Sequence, residues 1–353
     1  MHSHHSHNGA FCAHASADSH PSSMLEEAHK QGFKSYCLSE HVPRLHTSQL
    51  YPEEVQAGLN PSKLRTQFEE YLIEARRCAA QWKGKMNVLV GAELENIDDG
   101  CIEYLQEVLD GAENEAKSGP TAGRGRVDYV IGSIHHVDSI PIDFDKATFE
   151  KALDTFRPQS DQEADGTIRR RRAHLRLILR YLEQQSHLLT YFQPEVVGHF
   201  DLCRLFEPDT PMTLAAASDD SVCASLLQQV DEAVRRNIEI VCNYEGLFEV
   251  NSASLRKGWA SPYPDEDVLD SILEKGGRLC LSDDAHSHEQ VGLNFHKVKQ
   301  YLERKGVSEI WTLQPDDGTS LLNGSTRFPR GTIAVKIADW ASDPFWHTVD
   351  TPL

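Results

Sequence analysis

Short apolar runs that end in polar, ligand-type side chains alternate along this chain with longer stretches of helical periodicity. In an extended opening segment, residues two apart face one side, which groups His5 with His7 and His2 with His4. Pro21 and Ser22 predict a helix start and Gly32 its stop, giving a helix over 24–31. Residues 35–38 read as a strand ending in Ser39-Glu40-His41, and 61–83 as a long amphipathic helix. Strands follow over 87–92, ending at Glu93, and over 129–134, ending at His135-His136. Residues 175–191 read as helical, and 196–198 lead into His199. Then come a helix over 223–236, extended segments over 238–242 and 248–250, and a helix over 265–275. The last strand, 278–281, runs into Ser282-Asp283-Asp284-Ala285-His286. This recurrence of strand, ligand and helix predicts an α/β barrel with its site at the carboxyl ends of the strands.

Two polar stretches interrupt the pattern, near 111–126 and 158–172, and read as surface insertions. Arg169–Arg172 read as a solvated helix start, since no aromatic residue interleaves them. From about 318 the chain mixes Gly, Ser, Pro and Trp with little periodicity, and reads as a C-terminal extension. At 353 residues, one barrel domain over 1–353 accounts for the length. The formal charge of -19 disfavours nucleic acid or an anionic membrane as partner. No apolar run approaches a membrane span and no signal peptide opens the chain, so a cytoplasmic protein acting on a small molecule is expected. The eight cysteines form no CxxC pair. Cys37, Cys242 and Cys280 lie in apolar runs and read as buried thiols. Cys12 sits between two histidine groups and reads as a packing residue of the first loop, with a metal-facing role as the alternative.

At the ends of successive strands stand His5, His7, His41, Glu93, His135, His199, Asp284 and His286, with His14 in the first loop. A single histidine is more often structural than a ligand, but recurrence at one kind of position marks a ligand set. Nine imidazole and carboxylate donors fill most of the coordination of three ions. His2, His4, His136, Glu95, Asp283 and His288 are neighbouring alternatives. Histidine-rich, thiolate-poor ligation admits zinc, iron or manganese.

Taken in order, the HxH opening, SEH, GAELE, GSIHH with PIDFD, VGHFD, EVNSASLRKG and LSDDAH resemble the motifs of the polymerase and histidinol phosphatase superfamily. The match is to its histidinol-phosphate phosphatase branch and runs from residue 1 to about 300. The resemblance implies a distorted seven-stranded (β/α) barrel holding up to three divalent ions. It implies that His5 and His7 form the HxH pair and that His14, His41, Glu93, His135, His199, Asp284 and His286 complete the set. The chain departs from the pattern in two places. Ser3 and His4 replace an acidic-apolar pair, leaving His2 and His4 as a rival register, and the gap from His7 to His14 is one residue longer. The activity implied is hydrolysis of L-histidinol phosphate to L-histidinol and phosphate, a step of histidine biosynthesis.

Two to three divalent ions held in this way would lower the pKa of bound water to about 7 and make a metal-bound hydroxide available as nucleophile. Three ions carry about +6, and Glu93, Asp284 and one hydroxide return about -3, so the site attracts a phosphate dianion despite the acidic chain. Arg256 in SLRKG and Arg44, three residues after His41, are candidates for holding the phosphate. Asn251 would support a ligand or the phosphate, and Glu95 would orient an imidazole. His136 and Asp143 or Asp145 would line the substrate pocket. No residue stands out as proton donor. One rival reading is an enzyme of the same fold acting on another phosphomonoester or nucleotide. Another is a non-catalytic histidine-rich metal-binding protein, which predicts clustered, exposed histidines.

Overall fold

A computed structural model describes residues 1–116, 127–157, 165–217, 223–318 and 324–349. Five strands, Gly91–Glu95, Tyr129–Ser133, Val196–Val197, Leu247–Asn251 and Arg278–Ser282, pair in that order as a parallel sheet. Parallel neighbours require crossovers, and helices supply them. Asp99–Ala116 joins the first pair, Lys146–Thr155 and Gly166–Tyr191 the second, Ala224–Asn243 the third and Glu266–Glu274 the fourth. His2–Ser3 and Ser35–Tyr36 form a separate parallel pair. Single parallel bridges tie this pair to both edges of the sheet: Leu38 to Val90 and His41 to Glu93 on one side, Ser6 to Ala285 on the other. In place of the expected seven-stranded barrel there are five continuously paired strands and two short segments attached by bridges.

Helix boundaries follow local chemistry. Pro21 opens Pro21–Gln31, and Gly32 ends it at φ 87°, a conformation glycine adopts without steric cost. The side chain of Asn60 accepts from Lys63 N at the start of Pro61–Trp82, and Asp145 accepts from Thr148 N before Lys146–Thr155. Asp145, expected as the alternative to Asp143 in the pocket, is therefore a helix cap.

Alternation along the strands places Cys37, Leu89, Tyr129, Ile131, Val196, Leu247 and Cys280 in one buried cluster. Their sequence neighbours Leu38, Val90, Val130, Val197, Phe248, Leu279 and Leu281 belong to a second cluster, which includes the helices. Counting on by twos from Cys37, Leu89, Tyr129, Leu247 and Cys280 reaches His41, Glu93, His135, Glu249 and Asp284. One face of the sheet thus changes from apolar to ligand-bearing along its length. A Cβ at Gly91 would lie 2.4 Å from the Tyr129 ring. Glycine there leaves room for Tyr129 to cross the interior and donate to the His4 carbonyl at 2.5 Å.

The end opposite the ligands is closed by chain that the sequence left unread. Ile310–Pro315 pairs antiparallel with Thr332–Ile337, which also pairs with Thr326–Arg327. Trp311, Leu313, Phe328 and Ala334 pack into the cluster of Cys37, Tyr129 and Leu247. The extension from 318 therefore contributes two strands to the floor of the molecule.

Two expectations are corrected. Residues 238–242 are not extended but continue the Ala224–Asn243 helix, where Leu227, Val230, Val234, Ile238 and Val241 recur three or four apart and are buried. The β-branched run concealed that period. Residues 111–116 belong to the Asp99–Ala116 helix rather than to an insertion; 117–126 and 158–164 lie outside the described residues. Arg169–Arg172 fall in the first turns of Gly166–Tyr191, where Arg170 pairs with Glu150 and Glu207. All eight cysteines are free thiols; Cys37 and Cys280 are fully buried and Cys242 half-buried.

Candidate metal centre

Alternation in the first segment separates its histidines into two sets. His2 Nε2 accepts from Leu281 N at 2.9 Å, and His4 Nε2 accepts from Leu313 N at 3.0 Å. Burial lowers the pKa of both, that of His4 to about 3, so they stay neutral and structural. His5 and His7 point the other way and meet the strand ends, so these two, and not His2 and His4, face Glu93.

Glu93 stands at the middle of the cluster. Its Oε1 lies 3.3 Å from Nε2 of each of His5, His135 and His199, and His135 Nε2 lies 3.2 Å from His199 Nε2. Its Oε2 lies 3.3 Å from His7 Nε2 and 2.9 Å from His41 Nδ1. Both oxygens are buried and take no hydrogen bond. Donors around a tetrahedral zinc with bonds of about 2.0–2.1 Å stand roughly 3.3 Å apart, which is the spacing found here. Burial opposes charge on Glu93, but His5, His135 and His41 outweigh it and hold the carboxyl well below its usual range.

Buried carboxylates behind the imidazoles fix their tautomers. His5 Nδ1 lies 3.1 Å from Glu249 Oε2, and His7 Nδ1 lies 3.2 Å from Glu40 Oε2. A carboxylate accepts, so each Nδ1 carries the hydrogen and each Nε2 is left with a lone pair. Those two Nε2 atoms face one another at 3.0 Å, an arrangement that repels unless positive charge lies between them. The same preference shows in His7, whose pKa is raised to about 9 because Glu40 and Glu93 outweigh its burial. Glu249 also accepts from His199 N at 2.6 Å and Asn251 Nδ2 at 2.7 Å, and Glu40 from Asn8 N and Nδ2 at 3.0 and 2.9 Å. Glu95 takes the same part for the next strand, accepting His135 N at 2.6 Å and His136 Nδ1 at 2.8 Å.

A third group lies at the mouth. His14 Nε2 is 3.2 Å from His41 Nε2, and the His14 and His286 rings are 5.1 Å apart. His286 donates from Nδ1 to the Asp284 carbonyl at 2.9 Å, which turns its Nε2 lone pair outward. Burial holds His14, His41 and His286 neutral, His286 at about 3. Asp284 Oδ1 is 3.7 Å from Nε2 of both His5 and His7. Its backbone is left-handed at φ 47°, a strained conformation tolerated by Asp and tied down by Asp284 N donating to the His5 carbonyl at 3.0 Å.

The cluster opens into a cavity of about 360 Å³ lined by His7, His14, His41, Glu93, His135, His199, Asp284 and His286, with Arg256, Lys257, Tyr51, Glu53, Asp143, Phe144 and Leu202 among the other walls. Arg256 donates to the carbonyls of Asp283 and Asp284, both at 2.7 Å. Arg44 does not line the cavity: it is buried against Glu54 and its guanidinium lies 5.2 Å from the Tyr51 ring centre. Asn251 also lies behind the wall, donating to Glu249 and, at 3.3 Å, to Asp284 Oδ2. His136 is fully buried beside Glu95 and packs edge-on to Tyr51. Asp283 stays outside the cluster, accepting Ser3 Oγ, Tyr36 OH and Gly292 N. Sequence reasoning missed Glu249, Glu40 and Lys257. The first follows the inward alternation of its strand, and that signal was available; Glu40 breaks the alternation and left none.

The PHP domain family matches residues 3–253. The chain is 36% identical over 322 residues to the probable histidinol-phosphatase of Schizosaccharomyces pombe, covering 90% of this chain and 92% of that protein. It is 30% identical over 371 residues to the histidinol-phosphatase of Saccharomyces cerevisiae, covering 99% and 100%. A crystal structure of histidinol phosphate phosphatase from Lactococcus lactis, complexed with zinc, L-histidinol and phosphate, superposes with a TM-score of 0.52 at 18% identity, covering 88% of this chain and 95% of that one. With ligand-type side chains gathered at the strand ends and relatives matched over nearly the full length, this chain belongs to the PHP-domain family, in its histidinol-phosphatase branch.

Proposed function

We propose that this chain hydrolyses L-histidinol phosphate to L-histidinol and inorganic phosphate, using two or three divalent ions of zinc, iron or manganese. The observation that carries the reading is the convergence of imidazoles and carboxylates on Glu93 at the base of an open cavity. His5, His7, Glu93 and Asp284 would hold one ion, Glu93 with His135 and His199 a second, and His14, His41 and His286 a third. Glu93 suits a shared position because its two oxygens face different imidazoles. Divalent cations bound there supply positive charge to a phosphate dianion and lower the pKa of a coordinated water to about 7.

The remaining wall divides by charge. Arg256, anchored on two carbonyls, gives the phosphate end a fixed positive charge with little ordering left to do, and the exposed Lys257 adds a second cation beside it. Tyr51, Glu53, Asp143, Phe144, Leu202 and Gln290 form the rest of the cavity. Tyr51 donates to Asp143 at 3.0 Å, which positions that carboxylate for the cationic end of histidinol. We read the seven segments joined by pairing and bridges as a distorted, closed barrel, and 1–353 as one domain built on it. No helix among the described residues is long and apolar enough to cross a membrane, in keeping with a cytoplasmic enzyme of small-molecule metabolism.

The test is phosphate release from L-histidinol phosphate against a panel of phosphomonoesters, before and after chelation. Marked preference for histidinol phosphate, lost on chelation and restored by a divalent ion, is expected. A flat profile across the panel defeats the substrate, and release that survives complete chelation defeats the metal centre.

A further inference from the structure

We propose that Cys12 is a fourth protein donor at the position shared by His14, His41 and His286, so that one ion of the centre is bound by a thiolate as well as by imidazoles. This rests on the metal-centre reading above and adds a ligand of different chemistry to it.

Cys12 is 5% exposed, and its Sγ lies 3.2 Å from His14 Nε2. Donor atoms of Cys12, His14 and His286 lie within 4.8 Å of one another, as do those of Cys12, His7 and His41. The thiol therefore stands where two ligand groups meet. A hydrogen bond from the thiol to His14 would account for one contact only. His14 Nε2 has a single lone pair or a single hydrogen, yet it faces Cys12 Sγ at 3.2 Å and His41 Nε2 at 3.2 Å. A cation at the common focus satisfies all of these donors together. Around a tetrahedral zinc, a thiolate sulfur and an imidazole nitrogen stand roughly 3.6 Å apart and two nitrogens roughly 3.3 Å, so a small opening of the loop accommodates the ion.

That loop is built to hold its residues in place. Cys12 N donates to Asn8 O at 3.0 Å, Ala15 N to Cys12 O at 3.2 Å, and Ser16 N to His286 O at 2.9 Å. A Cβ at Gly9 would lie 1.9 Å from Ser16 O, so the turn closes only with glycine there. The last of these bonds ties the loop directly to the strand end that carries His286. The loop is one residue longer between His7 and His14 than the family pattern leads one to expect, and Cys12 lies within that stretch.

Binding is an exchange without redox change: the S–H bond breaks, its proton leaves to solvent, and the sulfur lone pair forms the bond to the cation. A soft donor beside imidazoles favours zinc or iron(II) over manganese at this one position.

Cobalt(II) loading of the chelated and repurified protein tests this. A thiolate ligand produces charge-transfer absorption in the near ultraviolet, apart from the visible ligand-field bands that imidazole and carboxylate sites give. Wild type is expected to show both; Cys12→Ser should lose the near-ultraviolet absorption, keep the visible bands, and bind one ion fewer per chain. Visible bands without the charge-transfer feature in wild type would overturn the thiolate and leave the metal centre standing. No cobalt uptake at all would defeat both. Persistence of the feature in Cys12→Ser would trace it to another cysteine and overturn the assignment. If that variant does not fold, zinc-edge X-ray absorption of wild type decides: a sulfur neighbour at about 2.3 Å supports Cys12, and a shell of nitrogen and oxygen alone at about 2.0–2.2 Å overturns it.

Discussion

Glu249 Oε2 lies 3.1 Å from Nδ1 of His5 across 244 positions of sequence, and it is absent from the cavity wall. Its work is to set the tautomer of an imidazole that meets Glu93. Glu249→Ala should weaken metal affinity roughly 10- to 100-fold, while Glu249→Gln, which still offers an oxygen, should lose less. Competition with a chelator of known affinity measures both.

The two histidine registers predict opposite outcomes. His5→Ala removes a donor facing Glu93 and should reduce bound metal and lower phosphate release by roughly 10²-fold or more. His4→Asn should leave metal content unchanged and lower thermal stability, because His4 accepts from Leu313 N on the floor of the molecule. Metal analysis and a melting curve on each variant separate the two.

The two arginines separate in the same way. Arg256→Ala removes a cation from the cavity and the ties to the Asp283 and Asp284 carbonyls, so KM should rise roughly 10- to 100-fold. Arg44→Ala leaves Glu54 buried without its partner, which costs about 3–5 kcal/mol of stability. Its KM should stay near wild type in whatever fraction folds. Steady-state kinetics with denaturant unfolding checks both.

Acid sensitivity has a contributor far from the metal centre. His174 is buried, with Nε2 donating to Cys203 O at 3.0 Å and Nδ1 taking the Thr210 hydroxyl at 3.0 Å, and burial lowers its pKa. A depressed folded pKa means that the unfolded chain binds the proton first. The stability from neutral His174 is therefore complete above about pH 6.5 and declines as pH falls below that. His174→Gln should lose less stability than wild type between pH 7.5 and 5.5. The difference between the two denaturation profiles isolates this residue, since the other histidines are common to both.

Sequence alone conveyed the five strands of the parallel sheet and the ligand-type side chains at their ends, because each strand's hydrophobic run stops where such a side chain begins. Glu93, His135, His199 and Asp284 are examples, and the structure brings them together. The support behind them was less legible. Glu40 and Glu249 act through contacts 33 and 244 positions away; alternation marks Glu249 as inward-facing, but no local pattern encodes which imidazole either carboxylate meets. Arg44 looked like a phosphate ligand because it follows His41 closely, but it is buried in a pair with Glu54. The floor of the molecule escaped notice because Thr326–Arg327 is only two residues long and its pairing with Thr332–Ile337 depends on tertiary packing rather than on a repeating pattern.

The bridge between Ser6 and Ala285 seats the segment of His5 and His7 beside one that follows it far along the chain. During synthesis the first imidazoles leave the ribosome long before their neighbours exist. A cation that needs His5, His7 and Asp284 together would thus find its site only on a chain whose two ends of this bridge have met.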